Sequence, residues 1–152
     1  MREPSFRRLD PLLDALVEVL SQCLDLPYAF YGHSFGGWIA YYLAQRFAWT
    51  GERLPAHLFI GASRAPHLRS HHPPIHALPP ARFAEQVSLR YGQIPPAILA
   101  HRELMDLLIP IIQADMEMFE TVDYRPAPVD APAEGNVLIC CAQPEGDIVI
   151  DL

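Results

Sequence analysis

Residues 28–46 read YAFYGHSFGGWIAYYLAQR. The first four, Tyr28 to Tyr31, form a short and continuously apolar run, the pattern of a strand buried on both faces. GHSFGG interrupts it, and the apolar segment that follows, Trp38 to Trp49, is long enough for a helix of about three turns. Upstream, Leu9, Leu12, Leu13, Leu16, Val17, Leu20 and Leu24 keep helical spacing, with Pro11 suited to a first turn and Pro27 ending the pattern. Downstream, past the break TGERLP, residues 57–61 (HLFIG) predict a second short buried strand. A helix between two such strands is the signature of a parallel βαβ unit, so the predicted fold class is α/β.

From Ala65 to Pro80 five prolines forbid regular structure over most of the stretch APHLRSHHPPIHALPP. A short helix is predicted over 82–91 and a longer one over 102–122, where Leu104, Leu107, Leu108, Ile111, Ile112, Met116 and Phe119 share one face. Pro110 falls inside that helix and is expected to kink it. Residues 124–135 (YRPAPVDAPAEG) read as a connector, and 137–142 (VLICCA) as a third buried strand.

The 152 residues suffice for one domain, 1–152. Eighteen acidic residues against eleven basic ones, all arginine, leave a net charge of -7 and no basic stripe, which argues against nucleic acid as a partner. With 51% hydrophobic and 19% charged residues the chain has the apolar content of a folding protein. No apolar run approaches the ~18 residues of a spanning helix, and REPSFRRLD after Met1 has no apolar leader core, so a cytoplasmic protein without membrane association is expected. Cys23, Cys140 and Cys141 lack paired spacing and read as reduced thiols in apolar surroundings. His67, His71, His72 and His76 stand close together, yet Pro73 and Pro74 prevent a helix from aligning them. No carboxylate or thiol lies among them, so an exposed loop is expected rather than a metal site.

Ser34 is the candidate nucleophile. A G-x-S-x-G string matters when it joins a strand to a helix, because reversing direction in so few residues forces the serine into a strained conformation at the helix start. Unpaired N–H groups and the positive end of the helix dipole there favour developing negative charge, and the backbone N–H of Phe35 would be one oxyanion donor. Gly32 and Gly36 are expected to be required because a Cβ at either would collide across the turn. The competing reading makes them ordinary turn glycines and Ser34 a cap on the following helix.

PYAFYGHSFGGWIAYYLAQR together with PAHLFIGASRAP resembles the type II thioesterases of nonribosomal peptide and polyketide biosynthesis, a branch of the α/β-hydrolase superfamily. The stretch LPPARFAEQVSLRYGQIPPAILAHRELMDLLIPIIQADMEMFETVDYRPAP resembles the family's lid and return segment, so the resemblance runs from about Glu3 to about Ala142 with a helical lid at about 66–122. It implies a partial α/β-hydrolase fold, a parallel-sheet fragment with a helical lid insertion. It also implies hydrolysis of acyl thioesters from the phosphopantetheine arm of acyl or peptidyl carrier proteins, with Ser34 as nucleophile and no cofactor. The family's acid follows a late strand: Asp147 is the best match and Glu145 the next. The family's glycine-containing oxyanion loop precedes the matched stretch and its histidine follows the acid. None of the seven histidines here lies after residue 101, so a domain incomplete at both ends is expected. Loss of a triad histidine lowers turnover by about 10⁶ and leaves about 10³–10⁴ over water from binding and the oxyanion hole, so the chain alone is expected to be nearly inert. A general esterase or acyl transferase on the same fold remains open, as does a noncatalytic module docking to carriers through Arg64, Arg69, Arg82, Arg90 and Arg102.

Overall fold

The structure is a computed structural model that describes residues 4–125 apart from Arg69 and Gln93. The expected strand at 137–142 with Cys140 and Cys141, and both acid candidates, Asp147 and Glu145, lie outside the described residues. Contacts gather the described residues into two compact units, one lying within Leu13–Leu68 and Tyr124–Leu152, the other within Met1–Leu12 and Arg69–Asp123. Helix α1, Leu9–Leu20, crosses the boundary in sequence; it ends before Leu24, in turns closed by Ser21 N–H to Val17 O and Cys23 N–H to Leu20 O. Cys23 is free and exposed, not held in apolar surroundings as expected.

The first unit contains strand β1 (Ala29–His33), helix α2 (Phe35–Thr50) and strand β2 (His57–Gly61). β1 and β2 pair in parallel, with Ala29 opposite His57 and His33 opposite Gly61. The alternation of a strand puts Phe30 and Gly32, with Leu58 and Ile60, on the less exposed face. α2 turns Gly37, Ala40, Leu43 and Phe47 inward at helical spacing, and all four are buried. Phe47 is fully enclosed and packs against Phe30 with ring centroids 6.0 Å apart; burying one such side chain contributes about 1.5–3 kcal/mol. Gly51 ends α2 in the left-handed conformation at φ 75°, returning its N–H to Phe47 O. The other sheet face departs from expectation. Tyr31 is 72% and Phe59 52% exposed, because no element among the described residues covers that side of the strands.

The second unit holds α3 (Pro80–Tyr91), α4 (Pro96–Leu99) and α5 (Arg102–Thr121). Prolines open α3 and α4, where an absent N–H leaves no bond unmade. His101 caps α5, its Nδ1 accepting the Leu104 N–H at 3.3 Å, and Pro110 lies within the helix. Ile75, Phe83, Ala84 and Ile109 form the core of this unit, ringed by Leu78, Val87, Ile94, Met105, Ile112 and Met116.

The stretch Ile75–Leu78 is irregular but fastened to α5. Glu120 accepts the backbone N–H groups of Ile75 (2.9 Å) and His76 (3.0 Å), and its Oε2 lies 2.7 Å from His76 Nδ1. Gln113 Nε2 donates to the carbonyls of His76 (3.0 Å) and Leu78 (2.8 Å). His76 is thus anchored by a carboxylate forty-four residues away, where a solvent-exposed loop position was expected.

Candidate active site

Ser34 occupies the single residue between β1 and α2. Its backbone sits at φ 55°, ψ -124°, outside both the helical and the extended regions open to side-chain-bearing residues. Such a conformation costs of order 1–3 kcal/mol and persists only where the surroundings enforce it. On one side the Ser34 N–H donates to Gly61 O at 2.8 Å, extending the strand pairing by one residue; on the other, Gly37 N–H donates to Ser34 O at 3.0 Å and starts the helix.

The capping alternative does not describe this serine. An N-cap residue is ordinarily extended and its side chain takes a helix N–H, whereas Ser34 is neither extended nor bonded through its side chain to α2. The hydroxyl belongs to an exposed residue at the helix N-terminus, with Phe35 as the first helical residue. Negative charge developing beside it would meet the positive end of α2.

The glycines divide differently from expectation. A Cβ on Gly32 would lie 2.2 Å from Gly36 O and 2.7 Å from Gly37 Cα, so the strand and the helix start meet backbone to backbone there. A Cβ on Gly36 would meet nothing within 4 Å, which corrects the expectation that both motif glycines are sterically required. The second demanding position is Gly37, where a Cβ would stand 2.7 Å from Ile60 Cγ2 and 3.0 Å from Ser63 Cβ. The doubled glycine is visible in sequence, but its assignment depends on where β2 and the following loop run.

Two further residues at this end of the sheet had no sequence signal. Trp38 donates its indole N–H to Arg64 O at 2.8 Å, and Ala62, just past β2, has φ 48°. No group of His, Cys, Asp and Glu that could hold a metal ion exists among the described residues. Of the arginines considered for docking, Arg90 is held at Pro73 O (2.8 Å) and Gln86 Oε1 (3.3 Å). Arg82 and Arg102 are exposed beside Glu85 and Asp106.

Residues 1–146 match the family model described as Thioesterase domain. The chain belongs to the thioesterase domain family. Over 123 residues this thioesterase-family chain is 27% identical to gramicidin S biosynthesis protein GrsT of Aneurinibacillus migulanus, a match over 81% of this chain and 48% of that protein. Among solved structures it is similar to RedJ, the thioesterase from the prodiginine biosynthetic pathway in Streptomyces coelicolor. The identity there is 31% and the TM-score 0.74, covering 84% of this chain and 50% of RedJ. ClbQ from the colibactin NRPS/PKS pathway gives 27% identity and a TM-score of 0.76, covering 84% of this chain and 54% of ClbQ. The chain therefore spans about half the length of the relatives it matches. Its parallel strand, turn, helix, strand unit is part of the α/β-hydrolase fold of these neighbours. No helix among the described residues is long and apolar enough to cross a membrane.

Proposed function

We propose that this thioesterase-family protein hydrolyses acyl thioesters carried on the phosphopantetheine arms of carrier proteins, as an editing enzyme of nonribosomal peptide or polyketide assembly. The observation that carries the reading is the strained, exposed Ser34 at the junction of a parallel strand and a helix N-terminus, in a chain whose family match spans 1–146. The relatives named for gramicidin S, prodiginine and colibactin biosynthesis support the substrate class.

In this reading Ser34 Oγ attacks the thioester carbonyl, the C–S bond breaks with the thiol leaving on the pantetheine, and water then cleaves the acyl-serine to free acid. The Phe35 N–H, at the start of α2, is one donor to the oxyanion of each tetrahedral intermediate; removing one such donor from a hole costs about 10²–10³ in turnover. Asp147 is the acid of the site and Glu145 the next choice. The helical segment at about 66–122 is the lid. The domain acts in the cytoplasm, where carrier proteins of such synthases are loaded.

The reading is tested with an acyl-loaded carrier protein, following loss of the acyl mass from its pantetheine arm. Wild type is expected to clear the acyl group and Ser34→Ala to clear it no faster than buffer. Equal rates for wild type and Ser34→Ala would remove the proposal.

A further inference from the structure

Ser34 shares its end of the sheet with a second strained residue. Among the described residues, Ser34 at φ 55° and Ala62 at φ 48° are the non-glycine residues in the left-handed half of backbone space. They are linked: His33 pairs with Gly61 across the sheet, and the Gly61 carbonyl that accepts the Ser34 N–H at 2.8 Å belongs to the residue just before Ala62. The path of the chain through Ala62 therefore sets where the acceptor for Ser34 stands.

The residues after Ala62 are fastened to the first turn of α2. Ser63 packs at Gly37, its Cβ and Oγ within 3.0 and 3.2 Å of the point where a Cβ would sit. Trp38, only 5% exposed, donates its indole N–H to Arg64 O at 2.8 Å, and Ala65 beyond it is buried. A buried indole N–H needs an acceptor, and here the acceptor is loop backbone. The carbonyl of Ser34 is meanwhile held by Gly37 N–H. Both anchors of the serine thus lead back to Gly37 and Trp38, one directly and one through residues 61–64.

We propose that Trp38 and Ala62 are positioning residues for Ser34. Trp38 latches residues 61–64 onto α2, the latch keeps Ala62 left-handed, and the Gly61 carbonyl is thereby held in line with the Ser34 amide, bracing the nucleophile from the β2 side. A strained conformation survives only when neighbouring contacts over-determine it, and this latch is one such contact. The proposal rests on the reading of Ser34 as nucleophile for its functional meaning, but its physical content is a statement about the backbone.

Amide hydrogen exchange followed by NMR in the whole protein tests it. Trp38→Phe keeps a ring and removes the N–H; Ala62→Val changes an exposed position to a β-branched residue that resists positive φ. In both variants the Ser34 amide is expected to exchange roughly tenfold faster, the shift that goes with losing about one net hydrogen bond, while the other amides of the β1–β2 pairing keep their wild-type protection. Ala62→Gly, which accepts positive φ without a Cβ, is expected to retain Ser34 protection and to restore part of it when combined with Trp38→Phe. The rate at which a fluorophosphonate labels Ser34 should fall in parallel with the lost protection. Unchanged exchange at Ser34 in folded Trp38→Phe would overturn the brace, and if that variant does not fold, unchanged exchange in Ala62→Val does so alone. Because exchange reads the backbone whether or not the serine reacts, a braced but unreactive Ser34 would remove the thioesterase reading and leave this one standing. A reactive Ser34 with unaltered exchange would do the opposite.

Discussion

At Gly32 the strand and the following helix approach so closely that only a hydrogen fits. Gly32→Ala would set a methyl 2.2 Å from the Gly36 carbonyl oxygen and 2.7 Å from Gly37 Cα, and both of these belong to backbone that cannot step aside without undoing the turn. A loss of about 3 kcal/mol or more is expected in urea unfolding. Gly36→Ala should do the reverse. Its Cβ meets nothing within 4 Å and the residue lies inside α2, so the helix preference of alanine adds up to about 1 kcal/mol. A Gly36→Ala variant as unstable as Gly32→Ala would contradict the geometry of the turn. The motif string alone could not separate these two glycines, since it is symmetric about the serine while the backbone around it is not.

Among the elements, the strand, turn and helix over residues 29–50 were legible because each depends on local pattern: a short apolar run, a glycine-flanked break and a long apolar segment. What the pattern could not disclose depends on distant residues. Whether a strand is covered on one face or two is decided by other parts of the chain, and Tyr31 and Phe59 are exposed here. The four residues of α4 are too few to show a period. The anchoring of Ile75–Leu78 uses Glu120 and Gln113, which read in sequence as ordinary polar positions of an amphipathic helix. Glu120→Ala leaves two partly buried backbone N–H groups and the His76 ring without their acceptor, and is expected to lower the stability of the helical unit by about 2–3 kcal/mol by urea unfolding. No change would mean that the carboxylate is incidental. On α2, burial raises the Tyr42 phenol above its ordinary value near 10. The unfolded chain then releases this proton first as pH rises. The stability tied to the neutral phenol is therefore complete below pH about 10 and lost as pH climbs through the folded value. Tyr42→Phe should flatten the decline of unfolding free energy above pH about 10, measured as urea midpoints across pH. Identical alkaline profiles for the two proteins would count against the burial of that hydroxyl.

For the molecule as a whole, the family and the fold class were legible in residues 27–46, 55–66 and the helical stretch that follows, because order and spacing persist across a family better than side-chain contacts do. The described structure adds support for Ser34 as the proposed nucleophile: close approaches at Gly32 and Gly37 and a hydrogen bond to β2 surround it in a conformation that a simple helix cap would not adopt. Labelling with a fluorophosphonate, followed by peptide mass spectrometry of the folded protein, tests that claim most directly. The account predicts a covalent adduct on Ser34 that is absent from Ser34→Ala. Folded protein that carries no adduct at Ser34, or carries it equally at other serines, would contradict it.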